Sequence, residues 1–129
     1  MKRFHVRDGY GIKLLQKNNI EVAVISGGDS LPLRKRLEVL GVKNFHLASN
    51  DKGLHCQQLF EKLGVSGKDT ATIGDDLIDL PMFKECEFSF AVADAVESVK
   101  TSSSYVLKNK GGHGAFREMS DMILKAKGL

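Results

Sequence analysis

Short apolar runs alternate with helical stripes along this chain, and the alternation predicts an α/β domain. Ile12, Leu14 and Leu15 form a helix-like patch within residues 11–18. Glu21-Val22-Ala23-Val24-Ile25 is a β-branched apolar run that predicts a buried strand. Leu33, Leu37 and Leu40 recur at i, i+4 and i+7, with Pro32 near the start of that helix and Gly41 just past its end. Residues 44–48 read as a short strand. Leu54, Leu59, Phe60 and Leu63 mark a second amphipathic helix, stopped by Gly64. Thr70-Ala71-Thr72-Ile73 predicts the next strand. A helix over residues 77–84 follows, which must hold Pro81 in its first turn or kink there. Residues 88–93 predict a strand, 95–100 a weak helix, and Tyr105-Val106-Leu107 a last short strand. Phe116, Met119, Ile123 and Leu124 mark a closing helix. Strands alternating with helices of about ten residues imply βαβ units, a mostly parallel sheet and one domain over residues 1–129.

Composition narrows the function classes. An apolar fraction of 42% with only 2 prolines supports a packed core and excludes a disordered chain. The net charge of +3 is spread along the chain. Its densest cluster, Arg34-Lys35-Arg36, reads as the wet face of a helix, so no nucleic-acid partner is expected. Cys56 and Cys86 form no CxxC, and no Cys/His spacing suits zinc; they read as free core thiols in a reducing cytoplasm. No apolar run approaches the roughly 18 residues needed to span a bilayer, so no membrane association is expected. Met1-Lys2-Arg3-Phe4-His5 carries basic residues with no apolar run behind them, so no signal peptide is read there.

In an open parallel sheet, ligands bind beyond the carboxyl ends of the strands. The segments in that position are Ser26-Gly27-Gly28-Asp29, Ser49-Asn50-Asp51-Lys52 and Gly74-Asp75-Asp76. They offer a hydroxyl, an ammonium and a carboxylate pair, a set that suits a phosphate beside a magnesium ion. Asp75 and Asp79 are four apart and share a face if the helix runs through both. The same acids also fit a plain N-cap that complements the helix dipole, and this segment alone does not separate the two. The Ser26 hydroxyl with the Gly27 and Gly28 amides could receive a phosphate, or Ser26 is an ordinary turn serine. Lys52 at a helix start opposes the dipole by a few tenths of a kcal/mol, which a bound phosphate would offset. Gly111-Gly112-His113-Gly114 could serve as a hinge, a phosphate nest or a docking tail, with His113 read as a surface residue.

Taken in order, Val24-Ile25-Ser26-Gly27, Asp51-Lys52, Ile73-Gly74-Asp75-Asp76-Leu77-Ile78-Asp79, Val92-Ala93-Asp94-Ala95 and Gly111-Gly112-His113-Gly114-Ala115-Phe116-Arg117-Glu118 resemble the haloacid-dehalogenase-like phosphatases. Val6-Arg7-Asp8-Gly9-Tyr10-Gly11-Ile12 extends the match almost to the first residue. Within that superfamily the pattern is similar to the 3-deoxy-D-manno-octulosonate 8-phosphate and nonulosonate 9-phosphate phosphatases. The resemblance implies a capless Rossmann-like three-layer sandwich, usually a homotetramer, hydrolysing a phosphorylated keto sugar acid with Mg2+ through an aspartyl-phosphate. It implies that Ser26, Gly27 and Lys52 hold the phosphate, and that Lys52 also neutralises charge in the transition state. It further implies Asp75 as the metal ligand, with Asp76 or Asp79 beside it. Gly111, Gly112, Gly114 and Arg117 would form a tail that closes over a neighbouring subunit's substrate.

The chain departs from that pattern in two places. The family opens with an apolar strand ending in Asp-x-Asp-Gly, whose first Asp attacks phosphorus, and no Asp-x-Asp occurs in these 129 residues. Asp8 aligns downstream of that motif and is read as a cap of the helix beginning near Gly9, not as the nucleophile. The expectation is therefore an N-terminally incomplete phosphatase domain with turnover near background. The strands at 21–25 and 70–73 would then pair directly, borrow a strand, or leave backbone groups unsatisfied. Gly28 stands where the family often has Arg, which removes a bidentate donor. Two alternatives follow. One is a non-catalytic module for oligomerisation or sugar-phosphate binding, similar to the domain fused to some sialic-acid cytidylyltransferases. The other is a receiver-type phosphate-binding regulator, in which Ser26-Gly27 and the glycine-rich tail have no place.

Overall fold

The structure, a computed structural model, describes residues 6–129. The segment Met1 to His5 lies outside the described residues. The order is α1 (Val6–Lys17), β1 (Ala23–Ile25), α2 (Leu31–Val39), β2 (Asn44–His46), α3 (Lys52–Leu63), β3 (Ala71–Gly74), α4 (Leu80–Glu85), β4 (Phe88–Ala91), α5 (Glu97–Ser102), β5 (Tyr105–Val106) and α6 (Ala115–Ala126). Single 3-10 turns occupy Gly67–Asp69 and Leu77–Asp79. Every strand pairing is parallel, as expected of βαβ units.

The helices start and stop where local chemistry says they should. Ser30 caps α2 by accepting the Leu33 amide at 3.2 Å, and Pro32 sits in the first turn, where its missing N–H costs nothing. Asp51 caps α3 in the same way, and Gly64 ends it in the left-handed region at φ 67°. Pro81 lies in the first turn of α4. The predicted 77–84 helix is split, because the 3-10 turn at Leu77–Asp79 precedes it.

α1 begins earlier than its apolar patch suggests, at Val6, and runs through Gly9 and Gly11. Asp8 therefore lies inside the helix and is not its cap. Packing overrides propensity here: a Cβ on Gly11 would sit 3.0 Å from the Arg117 Cα and 2.8 Å from the Ser120 Oγ, so glycine lets α6 approach α1. In α2, Arg34 and Lys35 are exposed as read, whereas Arg36 is half-buried beside Gly9. Cys56 is buried, Cys86 is half-buried, and both are free thiols.

Among the described residues the strands form two sheets: β1–β2, and β3–β4–β5 with β4 central. β1 and β3 do not pair with each other. β1, read as buried, is only partly so, because a strand bonded on one side has an uncovered edge. Two cores result. Phe83, Phe90, Val99 and Met119 centre one under β4; Ile12, Leu15, Leu33 and Leu37 centre the other between α1 and α2. α6 spans both, with Ala115 and Met119 in the first and Leu124 in the second. Among the described residues no helix is long and apolar enough to cross a membrane.

Candidate phosphate-binding site

The loops after β1, β2 and β3 meet at one end of the molecule. Lys52, the first residue of α3, is 9% exposed, and its Nζ donates to Asp79 Oδ1 at 2.5 Å. Asp79, 3% exposed, uses its other oxygen to accept the amides of Asp75 at 3.0 Å and Asp76 at 3.2 Å. Asp76 is the N-cap of the turn and accepts the Leu77 amide at 2.7 Å, so the two acids form a capping box. Asp75 precedes the cap and is exposed. Its closeness to Asp79 thus comes from backbone capping, not from a shared helix face.

The capping reading of the acidic segment holds for Asp76 and Asp79, while the Asp75 carboxylate is exposed beside them. Burial alone would push the Asp79 carboxyl up, but the Lys52 ammonium and the two amides hold it below the ordinary carboxylate range. Asp75 is held above that range, first by partial desolvation and then by its neighbours Asp79 and Asp76, with Lys52 opposing. Asp75 is thus a crowded carboxylate that a cation would relieve.

Ser26 is fully buried. Its amide donates to the His46 carbonyl at 3.0 Å, and its own carbonyl accepts the Ser49 amide at 2.8 Å. The Gly28 amide donates to Ser26 Oγ at 3.1 Å, so that donor, counted in the sequence reading as open to phosphate, is engaged within the turn. Gly27 is exposed and lies beside Ile78 and the Ser49 carbonyl, each 3.8 Å from the place its Cβ would occupy. Contact between Gly27 and Ile78 puts the first and third tips side by side. Ser26, Gly27, Lys52 and Asp75 therefore share one end of the fold.

The glycine-rich tail packs on the loop after β4, whose Val96 amide donates to the Asp75 carbonyl at 3.1 Å. The Gly111 amide donates to Asp94 Oδ1 at 3.0 Å, and Glu118 accepts the Lys108 and Asn109 amides at 3.0 and 2.9 Å. Gly112 and Gly114 adopt left-handed backbone, at φ 73° and 97°. Arg117 pairs with Asp121 at 2.9 Å and lies 4.5 Å over the Tyr10 ring. His113 is exposed.

The sequence reading missed a cluster beneath the site. Ser49 Oγ and His55 Nδ1 share a hydrogen bond at 2.6 Å, and the His55 ring stacks on His46 with centroids 3.5 Å apart. Ala48, next to it, has φ 54°, a left-handed conformation that costs a non-glycine residue about 1–3 kcal/mol. The available signal was the polar pair Ser49 and His55 flanking Asp51-Lys52.

Among the described residues no three His, Cys, Asp or Glu side chains converge into a metal cage. Asp75 presents one exposed carboxylate, and magnesium takes one or two carboxylates and completes its shell with water and phosphate oxygens.

Residues 44–119 match the family model of haloacid dehalogenase-like hydrolases. The chain is 54% identical over 128 residues to the 3-deoxy-D-manno-octulosonate 8-phosphate phosphatase of Haemophilus influenzae, covering 99% of this chain and 71% of the relative. The cobalt-bound structure of the Haemophilus influenzae phosphatase superposes with a TM-score of 0.97, over 99% of this chain and 75% of that one. The Moraxella catarrhalis phosphatase, solved in complex with a magnesium ion, a phosphate ion and a KDO molecule, is 36% identical with a TM-score of 0.94, over 98% and 72% of the two chains.

Proposed function

The chain belongs to the haloacid dehalogenase-like hydrolases, in the branch of the 3-deoxy-D-manno-octulosonate 8-phosphate phosphatases, and from that premise we propose that its site takes the phosphomonoester of an eight- or nine-carbon keto sugar acid in magnesium-dependent hydrolysis. The observation that carries the reading is the Lys52–Asp79–Asp75 chain of contacts beside the Ser26 turn. Ser26 and the Gly27 amide cradle the phosphate, and Lys52 supplies the positive charge that stabilises it as the ester bond breaks. Asp79 acts through Lys52, holding the ammonium in place. Asp75 would ligate magnesium, which when bound screens the phosphate's charge against an attacking carboxylate.

The 129 residues contain no Asp-x-Asp, so they supply binding and charge neutralisation without the attacking group. A homotetramer in the cytoplasm, with the tail closing over a neighbouring subunit's site, completes the proposal, and the two free thiols fit a reducing compartment.

The test titrates inorganic phosphate and magnesium into the chain while amide NMR shifts are followed. Gly27, Lys52 and Asp75 amides should move together, and Asp75→Ala should abolish the magnesium-dependent part. Phosphate that moves none of them would sink the site. Release of phosphate from 8- or 9-phosphorylated keto acids, above an Asp75→Ala control, would support the hydrolase reading.

A further inference from the structure

The turn that follows β1 is held almost entirely by the loop that follows β2. Three backbone bonds do this: the Ser26 amide to the His46 carbonyl at 3.0 Å, the Ser49 amide to the Ser26 carbonyl at 2.8 Å, and the Ala48 amide to the Gly28 carbonyl at 3.1 Å. Ala48 sits in left-handed backbone at φ 54°, so this loop relaxes unless something pins it. The pin is a side chain from α3. His55 bonds Ser49 Oγ through Nδ1 at 2.6 Å, and its ring lies flat on His46, 16° from parallel. His55 is also three residues from Lys52 on the same helix, and its amide donates to the Asp51 carbonyl at 3.1 Å.

We propose that His55 is a positioning residue: through Ser49 and His46 it holds the Ser26–Gly28 turn at a set distance from the Lys52 ammonium. The role rests on the reading of Ser26 and Lys52 as the groups that hold phosphate. His55 joins the helix that carries Lys52 to the loop that holds the Ser26 turn. Among the described residues, this side chain both bonds the strained loop and stands on the helix that presents the lysine. Without it, the turn shifts relative to the ammonium that Asp79 holds, and an anion must order the turn before both groups hold it.

Two variants separate the hydrogen bond from the ring stack. His55→Asn keeps a polar atom where Nδ1 lies and loses the stack; His55→Phe keeps the stack and loses the polar atom. Hydrogen exchange at the Ala48 and Ser49 amides is read in each, with inorganic phosphate affinity from NMR titration and the thermal midpoint alongside. His55→Phe should speed exchange at both amides and weaken phosphate binding, each by about tenfold, the scale of one hydrogen bond. His55→Asn should stay within about twofold of the parent. Ser49→Ala should reproduce His55→Phe, and the double variant should add nothing further. Unchanged exchange in His55→Phe, or equal losses in both His55 variants, would overturn the proposal. A parent chain that takes no phosphate would sink the functional reading instead, and the exchange data would still decide the positioning role.

Discussion

The half of the molecule built on β3–β4–β5 and the half built on β1–β2 hold their functional tips by different means. In the first, Ser89, Phe90 and Ala91 of β4 are all buried, and helices α4, α5 and α6 close over them. In the second, β1 is half-exposed, and the core is helical, with Leu37 at 1% exposure between α1 and α2. The acids after β3 therefore stand on a packed sheet, and Asp79 is wedged so closely that a Cβ on Gly74 would lie 2.6 Å from its own. The Ser26 turn stands on loop contacts and one strained alanine. One half of the site is rigid by packing, the other by a few hydrogen bonds.

The sharpest way to break this contrast is at the ion pair that joins the halves. Asp79→Leu leaves Lys52 buried and unpaired, and should lower unfolding free energy by about 3–5 kcal/mol in urea denaturation. Lys52→Met with Asp79→Leu should recover most of that loss. Equal losses in the single and double variants would mean the pair is not coupled. Next, Phe90→Ala should cost about 3–5 kcal/mol and Leu37→Ala about 2–5 kcal/mol. If the halves are distinct, Phe90→Ala speeds amide exchange at β3 and β4 before Ser26, and Leu37→Ala does the reverse.

Smaller effects come from titration. Asp79 has a carboxyl held below its ordinary value, so its contribution is complete above the unfolded value of about 3.9 and fades as pH falls through the lower folded one. Acid titrations should show that extra slope in the parent and lose it in Lys52→Met with Asp79→Leu. Asp75 is shifted the other way, so its charge opposes folding at neutral pH. Asp75→Asn should melt slightly above the parent in a chelator and lose the parent's rise with magnesium. The smallest effect is expected at the exposed Asp29–Arg34 pair, 2.8 Å apart: Asp29→Asn should leave the denaturation midpoint unchanged.

Much of this was legible from residues alone. Prolines and glycines marked the ends of α2 and α3 correctly, because capping is local chemistry. The three loops after β1, β2 and β3 were identified as neighbours from the βαβ rule, and they meet. What stayed hidden was long-range. Nothing local says that Lys52 spends its charge on Asp79 twenty-seven residues away, or that Gly28 turns its amide inward. Gly9 and Gly11 carry no packing signal of their own; only the fold puts Arg36 and α6 against them. His55 carried no motif; its role depends on a partner in another loop.

The packing of α1 against α6 has a consequence for synthesis. Ile12 and Leu15 share a core with Leu33 and Leu37, made early, and with Leu124, made last, so the part of their face that α6 covers stays open while the ribosome makes everything between the two helices. The second core closes only when the last helix emerges.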